Sequence, residues 1–301
     1  MQSVQTVMLP MVRQRLIFAA SNNSFKSLKT VTGVIHLLIV GELINASRKL
    51  IQTAIKEANS AYIQQVAAEQ FAAGAHYIDV NAGVFVGEEA EYLKWLVTNV
   101  QQAVNAPCCI DSPDPKAIEV ALSVHQGIPM LNSISLEKER YDVFLPLIAG
   151  TDFKVVALCM SDEGMPETAE ARVKIADKLI NELTKNGVAI DNIYVDPLVQ
   201  PLSTSDIYGV EFLKAVETIM TAYPGVHTMC GLSNISFGLP ERRFLNRTFG
   251  IMAIDRGLDG MITNPLDKEF MASVIAAEAL RGKDEYCGKY LAAYRKKKFE
   301  F

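Results

Sequence analysis

The chain has 301 residues, half of them hydrophobic and 21% charged, which is ample apolar material for one barrel-sized core or two smaller ones. Its formal net charge of −5 leaves no basic surplus to neutralise phosphates, which argues against a nucleic-acid partner. No apolar run approaches the ~18 residues of a membrane span, and five cysteines without a C-x-x-C spacing predict free thiols in a reducing cytoplasm.

Residues 1–35 stand apart. They carry no acid, four cations (Arg13, Arg15, Lys26, Lys29) and many Ser, Thr, Asn and Gln. We read them as an N-terminal extension without chemical role, with an organelle transit peptide as the alternative.

From residue 36 short apolar runs alternate with stretches of helical periodicity. The runs are His36–Gly41, His76–Ala82, Pro107–Asp111, Pro129–Ser133, Lys154–Met160, Ile193–Pro197, His227–Ser233 and Gly260–Asn264. Each is nearly continuous in Val, Ile, Leu, Met or Cys, as strands buried on both faces are. Between them the helical stripes include Leu50, Ala54, Ile55, Ile63, Val66 and Phe71, then Leu93 to Val100, Val143 to Ile148, Val173 to Leu183, and Leu245, Phe249 and Met252. Pro115, Pro166 and Pro240 stand at helix starts, and Gly74, Gly150, Gly187, Gly257 and Gly282 at ends. Eight such alternations predict a single-domain (β/α)8 barrel over residues 36–285, followed by a basic tail, 286–301. An open doubly wound sheet would want a glycine-rich phosphate loop after an early strand, and the chain has none.

Barrels of this class carry their chemistry at the C-terminal ends of the strands. Here those ends hold Glu42 and Asn45, Asp79 and Asn81, Asp111 and Ser112, Asn132 and Ser133, Met160, Asp196, Ser233 and Asn234, and Asn264. Any one of the polar residues reads equally well as a strand-end cap or Asx turn. The set is more informative, because a mouth ringed by amides and carboxylates suits a flat, hydrogen-bonding heterocycle. Strand alternation puts Asp79 and Asn81 on one face, with Asp79 one layer deeper.

The four histidines lie at strand starts (His36, His76, His227) or a helix end (His125), so no His base or Ser–His pair is expected at the mouth. No lysine ends a strand, which excludes a Schiff-base mechanism. Carboxylates interleaved with amides argue against a bound metal. What remains is chemistry by positioning and hydrogen bonding, such as direct transfer between two bound partners. After the seventh run, Arg242 and Arg243 open a helix where its dipole is positive, so something negative is expected nearby.

GELIN at 41–45, DVNAG at 79–83, CIDSPDPKAIE at 109–119, MLNSIS at 130–135, YVDPL at 194–198 and GLSNISFGLPERRFLNRTF at 231–249 together resemble the pterin-binding methyltransferases. The nearest likeness is to the methyltetrahydrofolate:corrinoid protein methyltransferases. The resemblance runs from about residue 37 to 290 and implies the same (β/α)8 barrel. It implies a site for tetrahydrofolate or 5-methyltetrahydrofolate, with the pterin edge held by Asp111, Asn132 and Asp196. It places Asn234 beside pterin N5 and matches Arg242 to the arginine of the following loop; Asp79, Asn81, Ser233 and Arg242 complete the pterin set. Glu42, Asn45, Met160 and Asn264 are further candidates. One departure stands out: Phe237 occupies a position where some relatives carry Gln, replacing a polar contact with an aromatic wall.

The implied reaction moves a methyl group between N5 and the cobalt of a corrinoid by direct displacement, without a protein nucleophile or metal. No D-x-H-x-x-G cobalamin stretch occurs, so the corrinoid is expected on a separate protein. Family habit also implies a homodimer. The alternatives are a dihydropteroate synthase-like enzyme, which the acidic GVFVGEEAE at 83–91 disfavours, and a non-catalytic folate-binding barrel.

Overall fold

The structure, a computed structural model, describes residues 37–301; the predicted extension and His36 lie outside the described residues. Eight parallel strands appear in order: β1 (Leu38–Asn45), β2 (Tyr77–Asn81), β3 (Cys108–Asp111), β4 (Met130–Leu136), β5 (Lys154–Ser161), β6 (Ile193–Asp196), β7 (His227–Thr228) and β8 (Gly260–Thr263). Each pairs with the next as far as β7, and β1 also pairs with β8. The last seam is closed by single backbone bonds. Asp259 N–H donates to the Thr228 carbonyl at 3.3 Å and Ile262 N–H to that of Cys230 at 2.8 Å. The result is the closed (β/α)8 barrel that the alternation predicts.

The helices are α1 (Lys49–Lys56), α2 (Ser60–Ala73), α3 (Glu89–Ala103), α4 (Pro115–Leu122), α5 (Lys138–Ile148), α6 (Ala169–Lys185), α7 (Tyr208–Ala222), α8 (Arg242–Asp255), α9 (Lys268–Leu280) and α10 (Gly288–Arg295). Side-chain caps fix several starts: Asn59, Asp114, Thr168 and Asp267 each accept a first-turn N–H. Gly74 and Gly257 end α2 and lead out of α8 with φ of +113° and +112°, a region costly for any other residue. Among the described residues no helix is long and apolar enough to cross a membrane.

Outward strand residues such as Ile39, Ile78, Ile110, Leu131, Val155 and Val195 pack against the helices. Inward residues Val40, Tyr77, Cys109, Met130, Val156, Tyr194 and Met229 form a separate, almost fully buried layer that plugs the cylinder. Below it, Lys154 Nζ donates to Tyr194 Oη at 3.1 Å, Tyr194 stacks on His227, and His227 Nδ1 meets Asp259 Oδ2 at 2.7 Å. His76 and His125 accept backbone N–H groups of Ile39 and Cys108 at 3.0 and 2.9 Å. All three described histidines therefore brace the lower rim, away from the mouth.

Some local readings change. Leu50, Phe71, Val143 and Met252, assigned to buried stripes, are exposed, because the burying faces are set by Ile51 and Ile55, Gln70, Phe144 and Ile148, and Phe249 and Ala253. The basic tail is not all tail: α10 packs on α9 and buries Ala293. The seventh run is a strand for only two residues before it coils into a 3-10 turn, Leu232–Ser236. Cys287 is exposed, while the other four thiols are buried.

Candidate active site at the barrel mouth

Above the apolar plug, β2, β3 and β4 present a level row. Cα register aligns Asn81 with Asp111 and Asp111 with Asn132. Asn81 Nδ2 donates to Asp111 Oδ2 at 3.0 Å, and Asn81 Oδ1 accepts the Gly83 N–H at 3.1 Å. The amide is thus fixed on both sides and orients the carboxylate. Asp79 lies one layer down, aligned with Cys109 and only 3% exposed. Its Oδ1 has no hydrogen-bond partner among the described residues. Burial pushes the Asp79 carboxyl well above the usual range; the Asp111 and Glu42 charges add to this, while hydrogen bonds from Cys109 and Asn132 oppose it. Burial likewise raises Asp111 to about 6 against the Asn81 hydrogen bond and the Arg140 charge, with Glu89 pushing upward.

Arg140, on α5, reaches back over the Phe144 ring, 5.0 Å from its centroid, and donates from Nε to the Ser133 carbonyl at 2.6 Å. It ties the end of β4 and supplies positive charge near Asp111. Ser112 Oγ donates to Glu89 Oε1 at 2.5 Å and accepts the Asp114 N–H at 3.0 Å, joining the starts of α3 and α4 behind β3.

The far wall has another character. Leu158 and Met160, on the inward face of β5, are partly buried and apolar. Asp196 follows on β6, aligned with Leu158 and 8% exposed. Its Oδ1 accepts the Leu198 N–H at 2.8 Å. Burial raises its carboxyl to about 7, opposed by the Leu198 and Gly231 N–H groups and by Arg172. Arg172 is fully buried on α6, donating to the carbonyls of Pro197 and Glu167 at 2.8 and 2.7 Å. It clamps the exit of β6 and keeps a cation behind Asp196.

The 3-10 turn carries the last component. A Cβ on Gly231 would come within 3.2 Å of Asn234 Nδ2, so the amide folds back over this glycine. Asn234 is exposed, and its amide makes no hydrogen bond to protein among the described residues. Arg242 fixes the turn: Nη2 donates to the Ser233 carbonyl at 2.7 Å and Nε to Ser236 Oγ at 3.0 Å. Phe237 stands 64% exposed at the rim, its ring 6.0 Å from the Arg242 guanidinium.

The structure therefore brings Asp79, Asn81, Asp111 and Asn132 together, and sets Asp196 beside the Ser233–Asn234 turn through Gly231. Glu42, at a β1 bulge, faces this group electrostatically and pairs with Arg48 at 2.8 Å. Gly41 makes the bulge possible, since a Cβ there would lie 2.5 Å from the buried Gln70 Oε1 that accepts the Leu43 N–H. Asn45 and Asn264 are Asx turns, accepting N–H groups from Ser47 and Leu266 at 3.0 and 2.9 Å. Sequence reasoning missed Arg140, Arg172 and Glu89. For Arg172 a signal existed: it falls on the buried stripe with Ala176, Leu179, Ile180 and Leu183, where a cation needs a reason.

The raised carboxyls carry a stability cost. A folded-state value of about 7 for Asp196 against an unfolded value near 4 means the native state holds the extra proton. Its favourable contribution is complete below the unfolded value and is lost as pH rises through about 7. Asp196→Asn keeps the acceptor for Leu198 and removes the buried charge. We expect this variant to melt at least ~2 °C above the parent at pH about 8, the gain vanishing near pH 4. A thermal melt series across pH reads this directly; a lower melting temperature at high pH would contradict it.

A closed barrel with a plugged floor and a mouth lined by carboxylates and amides has the hydrogen-bonding groups that suit a flat heterocycle. The family model of the pterin binding enzymes matches residues 41–264, and the chain belongs to that family. It is 37% identical over 264 residues to the methylcorrinoid:tetrahydrofolate methyltransferase of Eubacterium limosum, a match spanning 87% of this chain and 97% of that protein. It is 30% identical over 241 residues to the methionine synthase of Mycobacterium tuberculosis, covering 76% of this chain but 20% of that longer one. Dihydropteroate synthase of Xanthomonas albilineans with 7,8-dihydropteroate shares the fold: TM-score 0.64, 16% identity, 83% of this chain and 95% of that one.

Proposed function

We propose that this enzyme moves a methyl group between the cobalt of a corrinoid, carried by a separate protein, and N5 of tetrahydrofolate. The name of its Eubacterium limosum relative supports the direction from methylcorrinoid to tetrahydrofolate. The observation that carries the reading is the uncommitted amide of Asn234, folded over Gly231 beside Asp196, while Asn45, Asn81 and Asn264 commit theirs to backbone.

Asp111, Asn132 and Asp196 hold the pterin. Its amino-pyrimidine edge offers N–H donors that carboxylates accept in pairs and a carbonyl that an amide serves. Asn234 Oδ1 accepts the N5–H and turns the N5 lone pair toward the methyl group. That lone pair forms the N–CH3 bond, the cobalt–carbon pair stays on cobalt, and the N5 proton leaves to solvent. In reverse, N5 first takes a proton from solvent, Asn234 Oδ1 accepts that N5–H, and as the methyl group passes to cobalt the C–N pair stays on N5, the same transition state crossed backwards. The reaction requires no protein nucleophile and no metal held by this chain. Leu158 and Met160, on the strand between those of Asn132 and Asp196, give the site an apolar, water-poor wall.

The test is stopped-flow absorbance. Mixing the protein with methylated or reduced corrinoid, free or on its carrier protein, and each folate form should produce cobalt-band changes that depend on enzyme and folate. Transfer in neither direction with any corrinoid source would overturn the reading.

Arg242 acts here by holding the turn. Arg242→Ala should lower kcat by about tenfold, or ~1.4 kcal/mol in the barrier, with folate affinity unchanged. Weaker folate binding at unchanged kcat would instead make Arg242 a direct ligand of the substrate.

A further inference from the structure

Among the outer helices, the end of α2, the first two turns of α9, and α10 with the residues after it enclose a cavity of about 700 Å³. None of its described lining residues belongs to the candidate site at the mouth, and its size is that of a small-molecule site. The local sequence makes the room. α2 ends at Gly74, in the left-handed region at φ +113°, and Met271 Cε on α9 lies 3.6 Å from where a Cβ on that glycine would stand. α10 closes the other side, packing on α9 and burying Ala293.

Wall and rim differ in kind. Five lysines and Glu300 are the only described lining residues with a charged side chain; the rest are Ala, Gly, Pro, Leu, Met and Ile. The lysines are Lys268, Lys289, Lys296, Lys297 and Lys298, so four positive charges remain after Glu300, on a chain whose formal net charge is −5. Glu300 meets Lys297 Nζ at 3.4 Å. The ammonium groups of Lys268, Lys296 and Lys298 make no hydrogen bond or ion pair among the described residues. Like charges gathered at one opening repel one another, and an anion seated among them relieves that repulsion. An apolar cavity with a collar of cations describes a ligand with an apolar body and an anionic head.

We propose that this cavity binds an anionic amphiphile from solution, a single unbranched acyl chain ending in a carboxylate or phosphate. An acyl chain brings no N–H or C=O that the walls would have to satisfy. An extended peptide laid in the same place would bury backbone groups against Pro265, Met271, Ala272 and Ile275, whose side chains offer them no strong hydrogen-bond partner. The lysine stems continue the apolar wall outward while their ammonium groups stay hydrated at the opening. Those groups are point charges on flexible stems, so they take a carboxylate or a phosphate without demanding the two-pronged geometry that arginine would impose. Met271, unbranched and adaptable, lets the wall follow chains of different length. The inference is independent of the chemistry at the mouth.

The experiment is calorimetric titration of the full chain with sodium decanoate, sodium hexanoate and 1-decanol, all as monomers in solution, at low and high salt. The parent should take up one equivalent of decanoate, at least about tenfold more tightly than hexanoate, because each added methylene leaves water. At low salt decanoate should also bind about tenfold more tightly than the uncharged decanol, an advantage that added salt reduces. Two variants divide the contributions. Ala292→Trp, which fills the cavity from α10, should abolish decanoate binding. Lys296→Gln combined with Lys298→Gln should bring decanoate down to the affinity of decanol and leave decanol unchanged. Both variants should melt as the parent does; if Ala292→Trp does not fold, the lysine pair alone decides. Equal binding of decanoate and decanol by the parent, decanoate binding untouched by either variant, or no decanoate binding at all overturns the proposal. Binding to phosphatidylglycerol vesicles without binding of free decanoate would make the lysines a membrane contact and overturns it too. A parent that ignores decanoate and whose self-association, read by sedimentation, is lost in Ala292→Trp would give the cavity to a second copy of the chain, with the same consequence.

Discussion

Asn234→Ala is expected to reduce turnover by about 10²–10³-fold, the loss typical of removing one hydrogen bond aimed at a reacting atom. Folate affinity should change little. On the proposed reading the pterin edge is held by Asp111, Asn132 and Asp196, and none of them depends on the Asn234 amide. The substitution is also structurally mild. The side chain is exposed, it makes no hydrogen bond to protein among the described residues, and the turn is braced separately by Arg242. Single-turnover kinetics with saturating folate would isolate the chemical step. A variant that loses binding in proportion to rate would place Asn234 among the pterin-holding residues instead.

Asp111→Ala should act on the opposite quantity. A charge-assisted hydrogen bond contributes roughly 1.5–3 kcal/mol, so folate Kd should rise about 10- to 100-fold. The observed loss includes a second effect, because Asn81 Nδ2 loses its side-chain acceptor and the amide can rotate away. Asp111→Asn separates the two: it leaves a hydrogen-bonding group beside Asn81 but cannot accept a pair of N–H donors. If Asp111→Ala and Asp196→Ala both bound folate with parental affinity, the pterin edge would have to lie elsewhere in the mouth.

The fold was readable because parallel strands buried on both faces leave continuous apolar runs, and most runs here end in or beside a polar residue at the level where the barrel opens. Asp79 below Asn81 follows from alternation alone. Register decided what alternation does not: that Asn81, Asp111 and Asn132 stand level across three strands. Arg140 and Arg172 escaped because they act from helices, through carbonyls 7 and 25 residues away, and no spacing rule links Arg172 to Pro197. The two-residue β7 was hidden for a different reason. Met229 and Cys230 are as apolar as strand residues and are buried, but lie beyond the end of β7, and Leu232 already belongs to the 3-10 turn. Asn45 and Asn264 show the limit of residue type as a guide, since an Asx turn and a ligand-binding amide draw on the same residues.

The plugged floor has a consequence for the proton inventory of a turnover. Tyr77, Met130, Val156, Tyr194 and Met229 close the cylinder from below, so Asp79, Asp111 and Asp196 exchange protons with bulk water only through the mouth. On the proposed reading, a bound pterin covers that opening. The number of protons held by the three carboxyls is then set while the enzyme is empty and is carried unchanged through the chemical step. Their titration belongs to the free enzyme, and therefore to kcat/KM, while kcat stays flat across the same range of pH.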